Sequence, residues 1–130
     1  MKHGNENAHM QDCIDTCREC RDMCQKTFYT HCLEMGGKHV GREHAILMAD
    51  CIATCQLAAD LMQRNSPNHA ITCRACADIC EACADSCEAV GGEEMMKCAQ
   101  TCRGCADGCR KMSQGRGMAG EGKEASGIMA

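Results

Sequence analysis

Five cysteines in the segment CRACADICEACADSC, namely Cys73, Cys76, Cys80, Cys83 and Cys87, are spaced by 3, 4, 3 and 4 residues. On a helix of about 3.6 residues per turn those steps hold all five thiols on one side. A row of thiols facing one way is a donor set for soft metal ions. The underlying template, C-x3-C-x2-C-x3-C, recurs as CIDTCRECRDMC from Cys13 to Cys24, as CADICEACADSC from Cys76 to Cys87, and as CAQTCRGCADGC from Cys98 to Cys109. A degenerate copy, CIATCQLAADLM, begins at Cys51 and carries Ala58 and Met62 in its last two cysteine slots. Four copies predict four equivalent helices whose thiols point inward together.

The elements that must position these thiols follow from the residues between them. Ala, Glu, Asp and Arg separate the cysteines, and the longest stripe, from Cys73 to Cys87, contains neither Gly nor Pro; these are adequate to good helix formers. The first helix is expected over about residues 10–35, with an inward stripe of Met10, Cys13, Cys17, Cys20, Cys24, Phe28, His31 and Met35. Cys32 sits at the flank of that stripe. Gly36-Gly37 ends the helix, because glycine readily takes the left-handed conformation of a C-cap. A second helix over about 42–63 presents His44, Leu47, Met48, Cys51, Cys55, Ala58 and Met62 inward. Ile46, Ala53, Leu57 and Leu61 give it a second apolar face, which predicts a self-association surface. Asn65-Ser66-Pro67-Asn68 combines a turn with a helix start. Further helices are expected over about 69–90, ended by Gly91-Gly92, and about 93–112.

Short links make sequential helices antiparallel neighbours, so the expected fold is all-α: an antiparallel up-down-up-down four-helix bundle with a cysteine-lined core, one domain over 1–112. Residues 113–130, rich in Gly and small polar residues, are expected to be a flexible tail. The core is unusual. Against 16 Cys and 11 Met the chain has one Phe, one Tyr and no Trp, so sulfur takes the place of the usual Leu and aromatic filling. Buried free Cys packs as a small hydrophobe.

Several classes are excluded. High cysteine content can mean a disulfide scaffold, but helical i,i+3 and i,i+4 neighbours lie roughly 5–6 Å apart at Cβ, beyond the roughly 3.5–4.5 Å a disulfide needs; bridges between helices could form, yet a fold stapled by them has no need of a stripe repeated four times. A net charge of −4, with no basic cluster or aromatic platform, argues against nucleic acid. No run reaches the roughly 18 apolar residues of a membrane span. The opening MKHGNENAHMQD has no apolar export segment and no twin arginine, so a cytoplasmic protein with reduced thiols is expected.

The choice of metal follows from the spacing. Structural zinc uses quartets from paired CxxC knuckles, whereas here the cysteines run continuously along helices. Bacterial iron–sulfur motifs read C-x2-C-x2-C-x3-C-P, and the one proline, Pro67, follows no cysteine. Cu(I) is soft, suits thiolate and thioether, and can be held by sulfurs on adjacent turns or facing helices. Each Cu(I) that replaces one thiol proton leaves the core charge unchanged, so many ions can load without buried unpaired charge.

With stripes at Cys13–Cys24, Cys51–Cys55, Cys73–Cys87 and Cys98–Cys109, the chain resembles the cytosolic branch of the bacterial copper storage protein family over about residues 9–112. The resemblance implies a bundle, usually assembled as a homo-tetramer, that binds multiple Cu(I) ions per chain for copper homeostasis and detoxification. Ligation is carried by position onto Cys13, Cys17, Cys20, Cys24, Cys51, Cys55, Cys73, Cys76, Cys80, Cys83, Cys87, Cys98, Cys102, Cys105 and Cys109, with Cys32 following. It also implies His or Met at an open end that admits metal. His31, Met35, His44, Met48 and Met95 gather at one end, and Met10, Met62, His69 and Met112 at the other; the first group is favoured because two histidines fall on inward stripes. No catalytic residue is expected. The alternatives are a zinc or metallothionein-like thiol buffer and a thiol redox protein, which would want an exposed CxxC at a helix N-terminus.

Overall fold

The computed structural model describes the backbone of residues 2–127 and the side chains of residues 8–114; His3 and the tail methionines Met118 and Met129 lie outside the described side chains. Among the described residues all regular structure is helical. The first rod is continuous: α1 (Lys2–Lys26), a π-helical segment (Thr27–Cys32) and a closing turn, α2 (Leu33–Met35). A 3-10 turn over Gly37–Val40 leads to α3 (Arg42–Gln63), and α4 (His69–Val90) and α5 (Glu93–Gly127) follow. Each rod packs on its sequence neighbours, and α1 also meets α5. The chain therefore closes into an up-down-up-down four-helix bundle.

The turns are set by glycine where the backbone needs positive φ. Gly36 and Gly37 (φ 67° and 54°) end the first rod, and Gly91 and Gly92 (φ 85° and 98°) separate α4 from α5. Between α3 and α4, the Ser66 hydroxyl accepts the Asn68 N–H at 3.0 Å, and His69 opens α4.

Charged residues seam the outer faces. Arg103 of α5 pairs with Glu81, Asp85 and Glu88 of α4 at 3.1, 2.8 and 2.9 Å, and Arg110 pairs with Glu81 and Asp78 at 3.1 and 3.5 Å. Exposed ion pairs of this kind contribute about 0–1 kcal/mol each, so they orient the seam more than they hold it. Between α1 and α3, Arg18 donates to Gln63 at 3.3 Å and Arg21 donates to Gln56.

Two boundaries correct the sequence reading. The first rod begins at Lys2 rather than near residue 10, and α5 continues past Met112 to Gly127. No proline interrupts either extension, and Ala, Glu and Lys occur in both. The expectation that nothing resembles a membrane span also needs amending: α3 is long and apolar enough to cross one, by length and composition alone. In the bundle that apolar character is divided between an inward stripe and an exposed face bearing Ile46 and Leu57.

Candidate metal site

All sixteen cysteines are free and buried. Fifteen have no exposure and Cys13 has 4 %. The stripes bring them into direct sulfur contact across the bundle. Cys13 lies 3.8 Å from Cys109, which lies 3.5 Å from Cys17; Cys17 meets Cys105 at 3.7 Å, and Cys105 meets Cys55 at 3.8 Å. The path continues from Cys55 to Cys80 and on to Cys51, both steps 3.6 Å, then to Cys102 at 4.0 Å. From Cys102 it reaches Cys24 at 3.6 Å, and from Cys24 it reaches Cys98 at 3.7 Å. One array of sulfur thus runs along the bundle axis.

Within this array three quartets have sulfurs all within 4.8 Å of one another: Cys17, Cys76, Cys105 and Cys109; Cys20, Cys55, Cys80 and Cys105; Cys20, Cys24, Cys51 and Cys102. Successive quartets share a thiol, first Cys105 and then Cys20. Sharing is what bridging thiolates do, and it marks a fused array rather than three separate centres.

No Lys, Arg, Asp or Glu is buried among the described residues; the buried polar side chains are Thr27, His39, His44, His69 and Ser113. Charge in the core is therefore compensated only by thiol protons or by metal. Hydrogen bonding already divides the protons unevenly. Cys51 is held well below the usual thiol range by bonds from Cys102, then Cys20 and Cys24, and Cys105 by bonds from Cys109, then Cys17 and Cys20. Cys109, bonded first to Cys105, and Cys102, bonded first to Cys20, are held above it. Burial opposes ionisation of all four.

At the α2 end the donor set changes. Cys32 Sγ lies 3.8 Å from His44 Nε2 and 3.7 Å from Met95 Sδ, and Met48 Sδ receives Cys83 at 3.5 Å and Cys87 at 3.7 Å. Ser86 Oγ holds His44 Nδ1 at 2.8 Å, which fixes the ring with Nε2 toward Cys32. Burial pushes the His44 pKa down, favouring the neutral ring that can ligate. Phe28, 9 % exposed, and Val90, 7 % exposed, close this end, the Phe28 ring lying 6.3 Å from that of His44.

Of the five residues expected at this end, His44 and Met95 meet Cys32 and Met48 meets Cys83 and Cys87, whereas His31 and Met35 turn away from these thiols. The π-helical segment is the reason. Leu33 N–H reaches the carbonyl of Phe28, five residues back, so the wider turn absorbs one extra residue. The inward stripe then runs Cys24, Phe28, Cys32 instead of Cys24, Phe28, His31. Cys32, read as a flanking residue, is fully buried; Met35 is 58 % exposed. His31 instead faces the His39 ring edge-on at 5.2 Å. The sequence carried one hint, the run Thr27-Phe28-Tyr29-Thr30 of weak helix formers. Ser86, the partner of His44, was missed, and nothing in the spacing distinguishes it from the other residues between cysteines.

In the degenerate copy on α3, Ala58 and Met62 occupy the core with 0 % and 2 % exposure. The four-fold template is therefore kept in packing, and two thiols are missing from its α3 wall.

A sequence profile described as copper storage protein matches residues 6–114. A solved structure of a protein from Nitrosospira multiformis is 45% identical, covering 82% of this chain and 95% of its own, with a TM-score of 0.78. A Cu(I)-bound copper storage protein is 36% identical over 81% of this chain and 98% of its own, with a TM-score of 0.75. The apo form of copper storage protein 3 from Bacillus subtilis is 37% identical over 79% and 97%, with a TM-score of 0.71. No curated protein matches the sequence. With its thiol-lined bundle and a family match over most of its length, the chain belongs to the copper storage protein family.

Proposed function

We propose that this protein stores Cu(I), many ions per chain, on the thiolates inside its bundle, for copper homeostasis and detoxification. The observation that carries this reading is a core of sixteen buried thiols with no buried cation among the described residues. A monovalent ion replacing one proton per thiol keeps that core neutral. Zn(II) in a quartet of four thiolates would carry a net charge of −2, and three quartets sharing two thiols would bury more negative charge with nothing to offset it. The zinc-buffer alternative is disfavoured for that reason. A redox role is disfavoured because fifteen of the thiols have no exposure, whereas thiol exchange needs access.

The ligands are the sixteen cysteines named above. His44, Met48 and Met95 join Cys32, Cys83, Cys87 and Cys98 to hold the ions at the α2 end, a mixed sulfur and nitrogen set that Cu(I) accepts. No reaction is assigned. Cytosolic storage and assembly as a tetramer complete the reading; family resemblance supports both, and the exposed apolar face of α3 supports assembly.

The test is an anaerobic titration of reduced apo-protein with Cu(I) against a chromophoric chelator. Saturation near one Cu(I) per cysteine, with zinc displaced, is expected. Saturation at one or two ions would refute storage. Replacement of Cys76, Cys80, Cys83 and Cys87 by Ser should lower the capacity by several ions while the circular dichroism stays helical.

A further inference from the structure

The sulfur contacts close into triangles as well as chains. Cys55 of α3 lies 3.6 Å from Cys80 and 3.8 Å from Cys76 of α4, and Cys76 lies 3.7 Å from Cys80. Cys24 of α1, Cys51 of α3 and Cys102 of α5 form a second triangle with edges of 3.8, 3.6 and 4.0 Å. In a third, Cys17 lies 3.5 Å from Cys109 and 3.7 Å from Cys105, and the Cys105 and Cys109 sulfurs are within 4.8 Å of each other. These triangles have no thiol in common. Every cysteine in them is fully buried, in a core with no buried Lys, Arg, Asp or Glu among the described residues.

A cargo suits such a core when its charge equals the number of thiol protons it displaces, because nothing else offsets a remainder. One thiolate per monovalent ion meets that condition, and so do two thiolates on a divalent ion or three on a trivalent one. Geometry separates the last two. A two-coordinate divalent centre is linear and holds its sulfurs on opposite sides, out of contact with each other. A trivalent centre carrying a lone pair is a pyramid whose three sulfurs touch, as the thiols of each triangle already do. The packed helices hold those donors together beforehand, so little ordering remains to be done on binding.

We propose that the apo bundle also sequesters trivalent arsenic or antimony, taken up as the uncharged hydroxide such as arsenous acid, at one ion per thiol triangle. The cargo uses thiols of the storage reading and differs from copper in charge, geometry and stoichiometry. In each capture three As–S bonds form while three As–O bonds and three S–H bonds break. The hydroxyl groups leave with the thiol protons as three waters, arsenic stays trivalent and no electron moves. The product is neutral, and burial keeps away the water that would reverse the step. Unlike Cu(I), the pyramid shares no sulfur with its neighbours, so each ion consumes a whole triangle.

Native mass spectrometry of the reduced, full-length apo-protein after anaerobic addition of sodium arsenite tests this. At least three successive adducts per chain are expected, one for each triangle, and each should weigh one arsenic more and three hydrogens less. Adducts that retain a hydroxyl, or binding that stops below three, would overturn the proposal. Cys55→Ser, Cys76→Ser and Cys80→Ser combined should remove one arsenic and about three Cu(I); equal losses of the two ions would overturn it. Loading the unmodified chain with Cu(I) first should abolish arsenic uptake, and adducts on the loaded protein would place the arsenic outside the core and refute the assignment. A chain that reaches its full Cu(I) capacity yet takes no arsenic would overturn the triangles with storage intact. Full arsenic uptake beside a Cu(I) capacity of one or two ions would refute storage and leave the triangles standing.

Discussion

Cys32 shows how one side chain ties proton balance to metal. Its pKa is pushed up to about 11 by burial, with the neighbouring Cys98 and Cys83 adding to the rise. A thiol whose folded pKa exceeds its ordinary 9.0 stabilises the fold while it stays protonated. That contribution is complete below pH 9 and is lost as pH rises through 11. The part of the apo-protein's melting temperature that Cys32→Ser removes should therefore be level into mildly alkaline buffer and shrink between about pH 9 and 11. The copper-loaded protein, whose thiol protons have already left, should show no such decline. On the acid side the sign reverses for His44: its lowered pKa contributes stability above the ordinary histidine range that disappears as pH falls through the folded value. Met48 separates packing from ligation. Its sulfur lies 3.5 Å from Cys83 and 3.7 Å from Cys87 in a fully buried position. Met48→Leu preserves volume and should cost less than about 1.5 kcal/mol in chemical denaturation, yet remove about one Cu(I) from the tightly held set. Met48→Ala should cost about 2–5 kcal/mol. Unchanged tight binding in the leucine variant would reduce Met48 to a packing residue.

At the level of the helix, the template sets what each wall of the core can hold. The α3 wall is thinnest, because Ala58 stands fully buried where the other copies have a thiol. Ala58→Cys should restore that ligand beside Cys55 and raise capacity by about one Cu(I), at a packing cost of about 1–3 kcal/mol for the added sulfur. A variant that folds and gains no copper would show that α3 does not line the storage space as the other helices do. The same template explains what was legible in the sequence. Steps of 3 and 4 between cysteines identify which face turns inward, and paired glycines with an Asn-Ser-Pro-Asn turn mark where the chain reverses. A helix that keeps 3.6 residues per turn is readable from spacing alone. The π segment at Thr27–Cys32 is not, since no step between cysteines marks the extra residue it absorbs. That single step moved Cys32 inward and His31 and Met35 out. The limits of the first and last helices were also hidden, because glycine-containing polar segments carry no apolar stripe to read. The closing of the α2 end was hidden for a third reason: it depends on Phe28 and Val90, residues outside the repeated donor pattern.

The whole molecule has to reconcile a sulfur core with an exterior that is apolar in one place. The outer seam between α4 and α5 is covered by Arg103 and Arg110 and their acidic partners. The outward side of α3 has no such cover: Ile46 is 44 % exposed and Leu57 is 48 % exposed, with Ala49 and Ala53 exposed between them. Ile46, Ala53 and Leu57 are three of the four residues expected to form a second apolar face of α3; the fourth, Leu61, is half-buried. Positions 46, 49, 53 and 57 recur at helical spacing, so they form one continuous strip running along the bundle axis. A strip of that kind can be buried against a second copy without disturbing the thiols, since the inward residues of α3 lie on the opposite side. Association through it would also shield the thinnest wall of the core. Ile46→Asp combined with Leu57→Asp places two charges where a partner would exclude water, a burial that costs several kcal/mol. Light scattering coupled to size exclusion should then report a smaller assembly than the unmodified chain, while Cu(I) bound per chain stays the same because no ligand has changed. An unaltered mass would show that the α3 face is not the interface. Loss of copper alongside loss of assembly would show that the bundle retains its cargo only when its neighbours close around it.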